Sequence, residues 1–164
     1  MMTHLKEIIA AQYEAALAML NECIVKCPEE HWDGLIAKYP FWQVAYHVLC
    51  CVDCDLEVSE EAFKPRADLH PAGMADLNDE YPSRRFTKEE LVRYTAICLE
   101  KLQTKVAAET QATLEAPCGY SRRSFSHAEL YLFSMRHVQH HTGQLSAFLR
   151  RVGVQTGWVW HGWK

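Results

Sequence analysis

The sequence predicts an all-α protein, a four-helix bundle whose second and third helices run parallel. Three observations predict it. Four stretches place apolar residues at helical spacing, a capping box opens the third of them, and one long connection separates the second from the third.

The first helix is predicted from about Thr3, as N-cap, to Cys27, with Leu5, Ile8, Ile9, Tyr13, Ala16, Leu17, Leu20 and Ile24 along its apolar face. Pro28 and the stretch after it break the pattern. The second is predicted from near Pro40 to about Ser59. Apolar residues cover almost its whole circumference, with Asp53, Glu57 and Tyr46 as a narrow polar edge, so it should be central and mostly buried. The third opens at Thr87-Lys88-Glu89-Glu90, where Thr87 and Glu90 can satisfy each other's backbone donors, and continues through Leu91, Tyr94, Cys98, Leu102 and Val106. Pro117-Cys118-Gly119 lies in the break beyond it. The fourth starts near Ser126, again with a glutamate three residues on, and runs to Arg151 before Gly153.

Between the second and third helices lie about 27 residues, Glu60 to Phe86, a length that is uncommon unless a loop crosses over or serves a site. Fully extended it could span roughly 90 Å, against ~30 Å for a 20-residue helix, so it can carry the chain back to the end it started from.

Composition narrows the function classes. At 164 residues the chain has the length of one domain, read here as residues 1–164, and it needs no disulfides to bury a core. A net charge of −4 and three isolated arginine pairs, Arg84-Arg85, Arg122-Arg123 and Arg150-Arg151, offer no nucleic-acid footprint and read as solvated surface. The first residues lack the pattern of a signal peptide, and no apolar run approaches the roughly 20 residues needed to cross a bilayer. No membrane contact and a cytoplasmic location are therefore expected. Seven cysteines, an odd number, read as buried reduced thiols. Cys51-Val52-Asp53-Cys54 has the C-x-x-C spacing, but no second pair completes a structural zinc site.

Nine histidines in this length make one H-x-x-x-H pair an ordinary accident. His137 and His141 gain weight from their place. With His137 at 0°, His141 falls at about 40°, Gln144 at about −20° and His140 at about −60°, while Leu130, Phe133, Leu145, Phe148 and Val152 lie within about 80°. Both histidines and the glutamine thus point into the apolar stripe. A buried imidazole left without a partner costs roughly 1–3 kcal/mol, so something should satisfy the pair. A divalent cation does so, since neutral imidazole is the commonest metal ligand; hydrogen bonds to core carbonyls or buried water would also serve. His47, inside the nearly apolar run Phe41–Leu49, is a candidate third ligand. Cys51 and Cys54 share its face at about 40° and −20°; they read as core packing, with a fourth ligand as the alternative. Asp55, at about 80°, is the one carboxylate near the histidine faces.

These segments resemble the DinB family of metal-binding bundles. The aromatic-rich stretch with Trp42 and His47 resembles the family's second helix, and His137-Val138-Gln139-His140-His141-Thr142-Gly143-Gln144-Leu145 resembles its H-x-x-H-H-x-G-Q-L signature. The resemblance implies an up-down-down-up topology and a divalent metal, zinc or nickel, on His47, His137 and His141. Thr142 stands where many members carry arginine, a change at the rim of the site. The resemblance further implies a metal-dependent enzyme of thiol-transferase or hydrolase type, acting on a small molecule such as a low-molecular-weight thiol. The alternative is a non-catalytic, stress-response metal-binding bundle. A homodimer is expected, and the tail tryptophans Trp158, Trp160 and Trp163 are expected to pack back over the end of the bundle or to anchor a partner.

Overall fold

The computed structural model describes residues 2–69 and 84–163. The chain is mainly helical. Four long helices are α1 (Met2–Lys26), α2 (Phe41–Asp55), α3 (Lys88–Ala108) and α5 (His127–Arg151); α4 (Gln111–Glu115) is a single short turn. A two-stranded hairpin, β1 (Leu35–Ile36) with β2 (Tyr39–Pro40), stands just before α2.

The capping signals work as the sequence predicts. Thr87 Oγ1 accepts from Glu90 N, and Glu90 Oε2 accepts from Thr87 N at 2.8 Å. Ser126 Oγ accepts from Glu129 N at the start of α5. At the other end Gly153, at φ +84°, follows the last turn. α1 begins at Met2, which puts Thr3 inside the helix rather than at its N-cap.

α1 packs on α3 and α5, and α2 packs on the same two helices from the other side. Tyr13, Leu17, Leu20, Ile24, Tyr46, Leu49, Tyr94, Leu102, Val138 and Leu145 are sealed in the single large core they share. Each such side chain contributes about 1.5–3 kcal/mol relative to exposure. Residues rising in number along α2 meet residues rising in number along α3: Tyr46 lies against Tyr94, Cys98 Sγ donates to Leu49 O, and Lys101 pairs with Asp53. Residues 70–83, the middle of the long connection and of any crossover, lie outside the described residues.

Several expectations are corrected. α2 stops at Asp55, not Ser59, because Ser59 caps the next turn instead, its Oγ accepting from Ala62 N. Its polar edge does not face water. Tyr46 and Asp53 are buried against α3, where Lys101 Nζ lies 2.5 Å from Asp53 Oδ1 and 2.7 Å from Glu57 Oε1. The break after Pro28 contains a 3₁₀ turn and the hairpin, held by Gly34 N donating to His31 O and Phe41 N to Gly34 O. Gly34 is required there, since a Cβ would lie 2.4 Å from the Phe148 ring. Trp32, fully buried, ties this segment to the start of α3 by donating its indole N–H to Phe86 O at 2.8 Å.

Against expectation, His4–Lys26 is long and apolar enough, by length and composition, to cross a bilayer. Its scattered alanines raise the mean hydropathy without forming a continuous run, and half of the window is buried inside the fold. Residues 154–163 run back along α1 rather than over the end of the helices. Gly157 N donates to Glu22 and Gly162 N to Ala11 O, while Ser146 and Thr156 share a hydroxyl bond of 2.6 Å. Trp163 packs against the core, but Trp158 and Trp160 are 71% and 78% exposed.

The Asp53–Lys101 pair yields a prediction. Asp53→Ala takes from the half-buried Lys101 ammonium one of its two carboxylates and from the buried Tyr94 hydroxyl an acceptor, so urea unfolding should show a loss of about 2 kcal/mol. Replacing both partners, with Asp53→Leu and Lys101→Met, should recover most of it. A loss below about 1 kcal/mol in the single variant would show that water has taken over the pairing.

Candidate metal centre

α2 and α5 run past each other in opposite senses. Phe41 at the start of α2 meets Phe148 near the end of α5, with ring centroids 5.7 Å apart. This brings His47, in the middle of α2, opposite His137 and His141, one turn apart on α5. His47 Nε2 lies 3.3 Å from His137 Nε2. Ring centroids are 5.1 Å apart for His47 and His137, 5.2 Å for His47 and His141, and 4.7 Å for His137 and His141, with planes 81–88° to one another. One ring nitrogen from each lies within 4.8 Å of the other two. Two imidazoles on one tetrahedral zinc, each at 2.0–2.1 Å, hold their nitrogens roughly 3.3–3.4 Å apart. The His47–His137 separation fits that edge, and the cluster could hold a metal ion.

The local electrostatics keep the two rings on α5 neutral. Burial lowers the pKa of His137 to about 3, helped by His141, His47, His140 and Arg123. Burial lowers His141 to about 4, against the pull of Gln144 and with help from His47 and His140. Ligation requires the neutral form. The tautomer of His141 follows from its neighbour. Its Nδ1 is 2.8 Å from Gln144 Oε1, an acceptor, so Nδ1 carries the proton and the Nε2 lone pair is left for the cluster. The Gln144 amide nitrogen donates in turn to His140 Nε2 at 3.3 Å.

The structure moves several residues from their predicted places. The buried positions of α5, His127, Leu130, Tyr131, Ser134, Val138, Thr142, Leu145, Phe148 and Leu149, spread from about 20° to 140° and centre about 80° from His137. His137 and His141 therefore sit half-buried at the edge of the stripe, and Gln144 and His140 are exposed. A reading by hydrophobicity missed this because Ser134 and Thr142 are polar yet buried. Thr142 lies away from the rim, in a cavity wall with Met19 and Ser146. Cys51 Sγ is 3.9 Å from both nitrogens of His47, but neither it nor Cys54 belongs to the cluster. Burial holds the Cys51 thiol well above its ordinary range, so it stays protonated.

One group was missed. Arg123, read from the sequence as solvated surface, is half-buried, and its Nη1 donates to Asp55 Oδ1 at 2.7 Å. Its sequence neighbours carry no signal for this, because the contact depends on where the loop before α5 lands.

The family model described as the DinB family matches residues 1–164, the whole chain. The chain belongs to the DinB family. No curated protein and no solved structure matches it. Membership in DinB and the three-histidine cluster together point to metal binding.

The shifted imidazoles predict a pH dependence for the metal-free protein. His137 and His141 protonate near 3 and 4 when folded, but near their ordinary 6.5 when unfolded. Below about 6.5 the unfolded chain binds more protons, so stability should fall as the pH falls toward 4. Urea titrations across that window should show a shallower slope for the His137→Gln, His141→Gln double variant. Identical slopes would show that the two rings are not desolvated.

Proposed function

We propose that this DinB protein holds one divalent metal ion, zinc or nickel, through His47, His137 and His141, and acts as a metal-dependent enzyme on a small molecule. The observation that carries the reading is the convergence of three half-buried imidazoles on one point, a ligand set that leaves a coordination position for substrate. When bound, such an ion acts as a Lewis acid and lowers the pKa of a water or thiol that shares it. The residues' own part is to supply three fixed lone pairs, with Gln144 holding His141 in the required tautomer.

The chemistry we favour is transfer of a low-molecular-weight thiol, with hydrolysis as the related alternative. A non-catalytic, stress-response metal-binding role has one observation in its favour: Asp55, the carboxylate sharing a face with His47, is tied to Arg123. The scaffold is read as a single domain, an up-down-down-up four-helix bundle of α1, α2, α3 and α5; the parallel pairing of Leu49 with Cys98 and Asp53 with Lys101, and the antiparallel passage of α2 and α5, support this order. A cytoplasmic homodimer that contacts neither nucleic acid nor membrane completes the reading.

Metal analysis after loading with zinc or nickel tests the proposal. One equivalent is expected in the parent protein, none in His137→Ala or His141→Ala, and a severe loss in His47→Ala. Gln144→Ala should weaken affinity by about 10- to 100-fold without removing a ligand. Full occupancy in the His47 variant would take that residue out of the site. Turnover of an electrophile by a low-molecular-weight thiol, dependent on added metal, separates enzyme from storage; stoichiometric metal with no such turnover favours the non-catalytic role. Light scattering near 18.9 kDa would exclude the dimer.

A further inference from the structure

The histidine cluster continues into a strip of half-buried residues. Along α2, Cys51 and Asp55 follow His47 at successive steps of four, and along α5 Phe133 precedes His137 by the same step. Residues four apart lie on one helix face. Arg123 closes the far end of this strip. Its guanidinium carbon lies 4.5 Å from the centre of the Phe133 ring and 4.8 Å from that of Tyr120, while Nη1 holds Asp55.

The loop that presents Arg123 is firmly tied. Pro117 bridges to Ser126, Cys118 N donates to Phe125 O, and Arg123 N donates to Tyr120 O at 3.0 Å. Gly119, at φ +76°, lies so close to the end of α2 that a Cβ would fall 2.3 Å from Val58 O.

The ion pair is asymmetric. The Asp55 side chain is 3% exposed and the Arg123 side chain 27%, so the carboxylate lies behind and the guanidinium faces outward. The other guanidinium N–H groups meet no acceptor among the described residues. Cys51, Cys54, Phe125 and Phe133 are half-buried like the histidines themselves, so this flank is neither sealed nor fully solvated. About 6 Å of helix separates Phe133 from His137, a distance that a chain of a few carbons spans.

We propose that Arg123 is the specificity-determining residue of this site, receiving the carboxylate of a small ligand whose thiol end reaches the three histidines. The assignment rests on the metal-binding function proposed above. It narrows the substrate class to small carboxylates with a soft donor a few bonds away, lying over Cys51 and Phe133. Asp55 is the anchor: it fixes the direction of the fork and supplies no contact of its own to the ligand.

Titration calorimetry on the full-length, zinc-loaded protein tests this with two probes of equal length, 3-mercaptopropionate and the uncharged 3-mercaptopropan-1-ol. The parent protein should prefer the acid by about tenfold or more, the scale of a charge-assisted hydrogen bond. Arg123→Gln should erase that preference with metal content unchanged, and Arg123→Lys should keep part of it. Equal affinities in the parent protein, no binding of either probe, or a preference that survives Arg123→Gln would each overturn the assignment. Should Arg123→Gln fail to fold around the stranded Asp55, the parent protein and Arg123→Lys decide: a lysine variant with undiminished preference overturns it. A parent protein that retains no zinc would remove the metal-binding reading and this assignment together. Zinc retained without selectivity would remove the assignment alone.

Discussion

Everything at the site depends on the burial of α2. Twelve of its fifteen residues are sealed between neighbours, and among them are Gln43, Asp53 and Asp55. A buried charge is tolerated only when paired. α2 meets that demand in opposite directions: Asp53 toward α3, where Lys101 and Tyr94 answer it, and Asp55 toward the loop before α5, where Arg123 does. These two pairs fix the rotation of α2 about its axis. With rotation fixed, His47 faces His137 and His141; a turn of the helix by one position would swing it by about 100° and dissolve the cluster.

Much of this was legible in the sequence because it follows local rules. The start of α3 is written in Thr87 and Glu90, that of α5 in Ser126 and Glu129, and the three histidines share a pattern that places them on facing helices. What was not legible depends on contacts distant in the chain. The strands at 35–40 are two residues each, too short for any alternation to register. The buried faces of Asp53 and Thr142 need a partner helix to reveal them. Gln144 points into the predicted stripe by angle, yet it is exposed and its Oε1 accepts from His141 Nδ1, because the true stripe is centred farther round the helix.

The chemistry of the cluster and its stability pull against each other. Three imidazoles within 4.8 Å cannot share protons comfortably, and burial already disfavours the charged form. The folded chain therefore holds bare lone pairs at a price in stability as pH falls, a cost that a ligand for those lone pairs would offset by mass action. Ser134, one turn before Val138, links this region to Tyr13 on α1 by a buried hydroxyl bond of 2.7 Å, so the helix carrying two of the histidines is anchored from behind.

α5 divides its circumference between tasks. The His137–His141 edge faces α2, the Val138–Leu145–Leu149 side fills the core, and the Ser146 side is covered by the tail through Thr156. The tail then follows α1, tied at Glu22 and Ala11, away from the histidines. Its two exposed tryptophans thus lie on a different flank from the strip between His47 and Arg123. Among the described residues the elements that border the histidine strip are α2, α5 and the loop bearing Arg123, tied at Pro117 and Ser126. The flank of the histidine cluster is accordingly set by side chains whose positions depend on buried pairs, Arg123 with Asp55 among them.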